Sequence, residues 1–417
     1  MIKLRKPIYV TAGYNTVSFG SGRKEFSPKA ERPGIEHYIL EAGKGTIVQI
    51  NSAENIDEGV IGNFVAERFV RQGNLGGFFP MVDKAFLYKP CTRVEGACDS
   101  GGLALVVSIK TILADLADVV LCIGVEVQNT VKALYGADYL AAAGWYKGER
   151  KDGHAYFFPA KFSDRAGACF EKFGKERIRE GMTHWYVQAI ENARKNPKAQ
   201  EYHNETKDLF AVGMTPPSPK AFCEHINAYD CSKVSDGASA IIFASEEGLK
   251  KIGVSKKDAV EVLAYAQCQD DLTVLPPDLT RLTTCERAAK LAYERAGITP
   301  KDLGVLEVHD CFTIAGLLAI EAIGLCKYAE GADFVKEGKT RLNGEIPTNT
   351  TGGLIGYGHP TGATGVRQAV DILHQLTGKA GDCQVKIDLE TRPYGMLSSM
   401  GGNDKTVVAM VFKRAEN

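Results

Sequence analysis

The 417-residue chain has almost no net charge: 50 Lys and Arg stand against 51 Asp and Glu, a formal charge of −1 at pH 7. Without a basic surplus there is no broad positive field to hold nucleic acid or an anionic membrane surface. The balance leaves room only for a local basic rim of the kind a phosphorylated ligand needs. No apolar run reaches membrane-spanning length without interruption by charge. The opening MIKLRKPIYVTAG lacks the apolar core of a secretory signal and the length of an organellar presequence, and the closing VVAMVFKRAEN lacks a peroxisomal tripeptide. None of the 11 cysteines forms a C-x-x-C pair, which argues against a zinc ribbon or a dithiol redox motif. An odd number of singly spread thiols in a large chain fits a reducing compartment. The expected location is the cytoplasm.

What is present is ordinary in composition, 44% apolar and 24% charged, and long enough for two or three domains. Strand-like apolar runs alternate with helical patterns, the mark of an α/β protein. KPIYVTAGYNTV reads as an opening strand, DEGVIGNFVAERFVRQG as a helix and DVVLCIGVE as a fully buried strand. Leu103 to Leu116 is apolar nearly all round, as in a helix buried on every side. From Gln128 to Asn227 the chain turns rich in aromatics, charges, Gly and Pro, with one clear helix over Ile178–Lys195. Such an excursion between core strands is where a substrate is usually gripped. A second α/β unit starts near DAVEVLAYAQ and ends in two strands read at CQVKIDLE and KTVVAMVF. The parse is 1–127, an insertion at 128–228, a return to the first half at 229–257, and a second half at 258–417.

Three short blocks carry chemistry. In RVEGACDSGGLALVV, Cys98 precedes a buried helix, where N–H groups and the helix dipole favour a thiolate; packing as a small hydrophobe is the competing reading. In VHDCF, a histidine, an acid and a thiol end a buried strand, so His309 can polarise a carbonyl and Cys311 can shuttle a proton. A cysteine packed under a helix beside a backbone-bonded histidine explains the same letters. In GYGHPTGATG, His359 is clamped by turn residues, and Pro360 suits the first turn of a helix. The segment has neither the P-loop lysine nor G-x-G-x-x-G spacing. Cys98-x-x-Gly101 and His359-x-x-Gly362 both lead into apolar helices, a weak sign of duplication. The cysteines and histidines are far apart along the chain, so no metal site is expected.

Together, in this order, these blocks resemble the thiolase superfamily, and HDCF with GHPTGATG resembles its SCP2-thiolase-like branch. The resemblance spans essentially the whole chain. It implies an α/β thiolase fold of two similar βαβαβαββ halves in a five-layered αβαβα arrangement with a loop-domain insertion. It also implies coenzyme A thioesters as substrates, coenzyme A as co-substrate with no permanently bound cofactor, and a homodimer core. By the same resemblance Cys98 is the acylated nucleophile, and His359 the base and a donor to the enolate oxygen. His309 is then the second donor and Cys311 the acid/base at the acyl α-carbon. The backbone of Cys98 and of Ser399, Met400 and Gly401 would form a second oxyanion hole.

Two features depart from the family pattern. Asp99 stands where a small neutral residue is usual, and a carboxylate there would raise the thiol pKa unless it points away. GMLSSMGGND has Ser398 or Ser399 where many thiolases have a second catalytic cysteine. The chain is similar to bacterial and archaeal members that assemble with a small zinc-ribbon/OB-fold (DUF35) subunit. It is most like large subunits acting on bulky or aromatic 3-oxoacyl-CoA esters such as benzoylsuccinyl-CoA. Trp145, Tyr146, Tyr156, Phe157, Phe158 and Phe162 suit a roomy apolar pocket of that sort. Acetoacetyl-CoA is the simpler substrate; a retro-aldolase and a non-catalytic acyl-CoA-binding subunit are the other readings.

Overall fold

The computed structural model describes residues 4–150 and 153–415. Nine strands form one mixed sheet: β1 (Tyr9–Asn15), β2 (Glu58–Gly62), β3 (Cys91–Val94), β4 (Val119–Glu126), β5 (Gly237–Ala244), β6 (Val260–Gln269), β7 (Leu303–Val308), β8 (Tyr394–Gly401) and β9 (Thr406–Arg414). The longer helices are α1 (Ile35–Ile47), α2 (Ser100–Leu113), α3 (Phe157–Phe173), α4 (Lys175–Ala193), α5 (Thr283–Ala296), α6 (Thr313–Ile323) and α7 (Thr364–Thr377). Among the described residues no helix is long and apolar enough to cross a membrane.

The strand order β3-β2-β4-β5-β1-β6-β9-β8-β7 holds a repeat. In the first half β2 runs parallel to β3 and β4, β4 antiparallel to β5, and β5 antiparallel to β1. In the second, β7 runs parallel to β8, β8 antiparallel to β9, and β9 antiparallel to β6. A parallel bridge from Leu306 to Thr348 takes the place of β3. The halves join through two antiparallel pairs, Tyr9 with Glu261 and Val10 with Val260.

Alternation along the strands builds separate cores on the two faces of the first half. Ile61, Leu121, Ile123 and Ile242 pack with α1 residues such as Ile39 on one face. Val60, Val120, Cys122 and Ile241 face α2 and α7 on the other, where Val305, Leu397, Val408 and Met410 of the second half meet them. Helix α5 and the helices α3, α4 and α6 cover the far side of the second half. The result is five layers: helix, half-sheet, the paired α2 and α7, half-sheet, helices.

Four local expectations change. DEGVIGNFVAERFVRQG is mainly β2 with a four-residue helix at Ala66–Phe69, because β-branched Val60 and Ile61 are buried between β3 and β4. CQVKIDLE is not a strand: Val385 and Ile387 pack on the central core without joining the ladder, and the Gly- and Ser-rich YGMLSSMG takes that place as β8. Helix α2 ends at Leu113, and Leu116 beyond it is 78% exposed. Pro360 lies ahead of α7, opening a turn in which its carbonyl accepts from the Ala363 and Thr364 amides.

The x-x-Gly spacings have a visible purpose. A Cβ on Gly101 would stand 2.8 Å from the Gly362 carbonyl oxygen and 2.9 Å from the Gly365 nitrogen, and one on Gly365 would stand 2.2 Å from the Gly102 nitrogen. The starts of α2 and α7 therefore touch backbone to backbone. Gly101→Val should cost about 3 kcal/mol of stability through overpacking. It should also cut kcat/KM more than the folded fraction falls, because the helices must part. Urea midpoints and kinetics on the same preparation check this.

Candidate active site

Cys98 lies in a tight turn, Ala97–Asp99, between β3 and α2. Ala97, just before it, holds a left-handed φ of 56°, a strained conformation for a residue with a Cβ. His309 and Cys311 follow β7, and His359 lies in the loop before α7. All four side chains line one cavity of about 370 Å³. The two imidazoles meet edge to face, their centroids 5.0 Å apart.

The hydrogen bonds fix the two tautomers differently. His309 Nδ1 accepts the Met400 backbone N–H at 3.3 Å, so its proton sits on Nε2. His359 Nδ1 is 2.7 Å from Thr364 Oγ1, whose own proton goes to the Pro360 carbonyl. The hydroxyl therefore accepts, Nδ1 carries the proton, and His359 Nε2 presents a bare lone pair. That Nε2 is buried and has no hydrogen-bond partner among the described residues. One imidazole offers a donor and the other a base.

Electrostatics keep both rings neutral. Burial pulls His359 down to about 3, and the buried Arg367 guanidinium adds to the shift. Burial, then His359 and Arg367, pull His309 well below its ordinary value. Burial pushes the Cys98 thiol up to about 12, with Glu126 and Asp99 contributing. Cys311 is likewise raised by burial, then by Cys98 and Asp310. The resting pair is a thiol beside a neutral imidazole.

Buried neutral histidines give a signed prediction for stability. An unfolded histidine takes a proton near pH 6.5, while the folded His359 does not until about pH 3. Between those values the unfolded chain binds more protons, so stability falls as pH falls, by about 1.4 kcal/mol per pH unit per histidine. His359→Asn should flatten the slope of unfolding free energy between pH 6 and 4 by about that amount, read by denaturant titration. Asp310 and Glu307, raised by burial, push the slope the other way equally in both proteins.

Asp99 is fully buried and points away from the cavity: its carboxyl lies against Gly102, beside the Ser399 hydroxyl. Among the described residues neither carboxyl oxygen has a hydrogen-bond partner, and burial raises the group well above the usual carboxylate range. The strand residues expected to supply backbone donors separate. Met400's N–H is engaged by His309, which withdraws it from that set, while Gly401 lies against the nucleophile turn, in contact range of Gly96 and Asp99. Ser399 turns its hydroxyl toward Asp99.

Of the expected aromatics, Tyr156, Phe158 and Phe162 line the cavity, and Phe162 stacks on Phe312 at 4.3 Å. Phe158 and Phe162 share a helix face at i, i+4. Phe157, one position round, packs instead against Gly144. Trp145 and Tyr146 lie outside the cavity wall, 38% and 41% exposed.

Sequence reasoning missed Glu126. Its buried carboxylate accepts from Asn63, the Phe64 and Val65 amides, Thr361 and the Gly362 amide, tying the histidine loop to the first half. An acid ending a fully apolar strand was the available signal, the same one that marks His309. Cys98, His309 and His359 place one ligand atom each within 4.8 Å of the others, a proximity the sequence separation hid. His309 has no free lone pair to give a metal, since Nδ1 is occupied and Nε2 is protonated.

The chain covers 94% of an acetyl-CoA acetyltransferase from Methanothermobacter thermautotrophicus, 34% identical over 90% of its own length. It belongs to the thiolase superfamily. Human sterol carrier protein 2 is 31% identical over 71% of the chain and 54% of its own length. Residues 266–414 match the family described as thiolase C-terminal domain-like. Benzoylsuccinyl-CoA thiolase subunit BbsB of Thauera aromatica is 26% identical over 92% of the chain and 93% of its own. A solved Ltp2-ChsH2(DUF35) aldolase shares the fold at TM-score 0.77, with 17% identity over 99% of this chain and 98% of that one. This thiolase-superfamily chain is an acyltransferase enzyme.

Proposed function

We propose that the chain cleaves a 3-oxoacyl-CoA with coenzyme A, or runs the reverse Claisen condensation, through an acyl group on Cys98. The observation that carries the reading is the opposed tautomers of His309 and His359 beside one thiol. His359 Nε2 takes the Cys98 proton, and the thiolate attacks the 3-keto carbon. The Cys98 and Gly401 amides hold the resulting oxyanion. The C2–C3 bond then breaks, and its electrons pass to the thioester enolate. The enolate oxygen meets two donors, His309 Nε2–H and the newly protonated His359 Nε2–H. Cys311 gives its proton to C2 and releases the thioester that keeps C1 and C2, leaving the shortened acyl group on Cys98. Coenzyme A enters, loses its thiol proton to the Cys311 thiolate and attacks the acyl-cysteine, so that Cys98 recovers its proton from His359. The neutral rings matter, because a ring already charged could not accept the first proton.

The apolar wall of Tyr156, Phe158 and Phe162 supports an acyl group larger than acetyl, in keeping with the name of the Thauera relative. A small DUF35-type subunit on a homodimer core is the assembly we propose, supported by the composition of the solved aldolase complex. Co-purification from the native host tests it. The decisive experiment for the chemistry is intact-mass analysis after exposure to an acyl-CoA. An added acyl mass localised to Cys98 is expected, and an unmodified Cys98 in a protein that still turns over overturns the reading. Free ketone or aldehyde in place of a second thioester would identify a retro-aldolase.

A further inference from the structure

We propose that Lys233 makes the acyl chamber selective for acids, by binding a carboxylate carried on the substrate's acyl group. The inference deepens the thiolase reading and rests on it. The cavity that holds Cys98 and both histidines has one Lys or Arg in its wall, Lys233, and no Asp or Glu, among the described residues. The Lys233 side chain is 39% exposed, and its ammonium is paired with Glu201, which is not part of the wall. Ser232, next to Lys233 in sequence, and Asn129 and Ser21 are further polar residues of the wall, while Phe158, Phe162 and Leu140 supply part of the apolar lining.

The ammonium is anchored rather than spent. Its partner is Glu201, a buried carboxylate that also accepts from Asn204. An ammonium has three donors, and Glu201 occupies one. Burial pulls the Lys233 pKa down to about 8 despite this partner, so a second anion in the chamber would be favourably received. With two of its donors left over, the ammonium can bond a substrate carboxylate, whereas an uncharged end makes no such contact. The coenzyme's phosphates are the competing anions. They stand at the far end of the pantetheine arm from the thioester, whereas a chamber of about 370 Å³ that contains Cys98 is filled by the acyl group and the inner arm.

A matched pair of thioesters tests this: 3-oxoadipyl-CoA ends in a carboxylate where 3-oxohexanoyl-CoA ends in a methyl. Wild-type enzyme should favour the acid at least tenfold in kcat/KM. Lys233→Met should erase that preference through KM, with kcat and the neutral ester changed less than twofold, and Lys233→Arg should retain part of it. Equal kinetics for the pair in wild type overturns the proposal. So does a Lys233→Met variant whose KM rises alike for both esters and for coenzyme A, the result expected if the lysine reads coenzyme phosphates. Acylation of Cys98 by acetyl-CoA is followed in parallel. Labelling without acid preference removes only the role of Lys233, whereas absent labelling removes thiolysis itself.

Discussion

Cys98→Ala should abolish acyl-enzyme formation and lower thiolysis by at least about 10⁴-fold, because no other group in the cavity can take its place. Two other thiols line the cavity among the described residues: Cys231 donates to the Asn227 carbonyl, and Cys311 leaves β7 on the strand end that carries His309, whereas Cys98 rises on the turn that Gly101 and Gly365 press against the His359 loop. Folding should be barely affected, since Cys98 reaches the cavity and its loss opens no sealed core. Equal turnover by wild type and variant would end the thiolase mechanism. Cys98→Ser is the sharper comparison. A hydroxyl fills the space but is harder to deprotonate, so a large loss with unchanged stability separates nucleophilicity from packing.

His359→Ala should be nearly as damaging, because one ring performs two tasks in sequence. As a base it is worth about 10²–10⁴, and as an enolate donor about 10²–10³. The tasks share one proton, so the losses will not multiply fully; we expect a fall in kcat/KM of about 10⁴-fold. The same ring's partner gives the control. His309→Ala removes a donor only and should cost about 10²–10³, while still allowing Cys98 to be acylated. If His309→Ala instead blocked acylation and His359→Ala did not, the two tautomers would have been assigned the wrong way round. An exchange of ¹³C-labelled acetyl-CoA into acyl-Cys98 distinguishes these cases without full turnover.

The buried acid beside Cys98 bears on both results. Asp99 looks from its position in ACDSGG like a liability for a thiolate. Its carboxyl is turned away, between Gly102 and Ser399, and burial raises its pKa well above the usual carboxylate range. Ser398 and Ser399 lie on β8 where the resemblance leads one to look for a second cysteine. Proton transfer at the α-carbon is the role we propose for Cys311, which lines the same cavity.

Sequence by itself determined the α/β class, the buried strand ending at Glu126, the buried helix after Cys98, and four side chains that meet at one cavity. These are local: apolar periodicity, turn residues and short motifs are written in neighbouring letters. It failed where tertiary burial overrode local pattern. VIG became a strand because two others flank it, and YGMLSSMG became one because only small residues let β8 approach the nucleophile turn. Phe157 and Trp145 were aromatic letters in the right segment, but which helix face meets the cavity depends on how α3 is docked. Tertiary structure alone decided the chemistry of each group. The proton positions on His309 and His359 come from Met400 and Thr364, their pKa values from burial and Arg367, and the pairing of Lys233 with Glu201 from the meeting of remote segments. A side chain's reactivity is set by the field and the hydrogen bonds around it, and several of those partners arrive from remote parts of the chain.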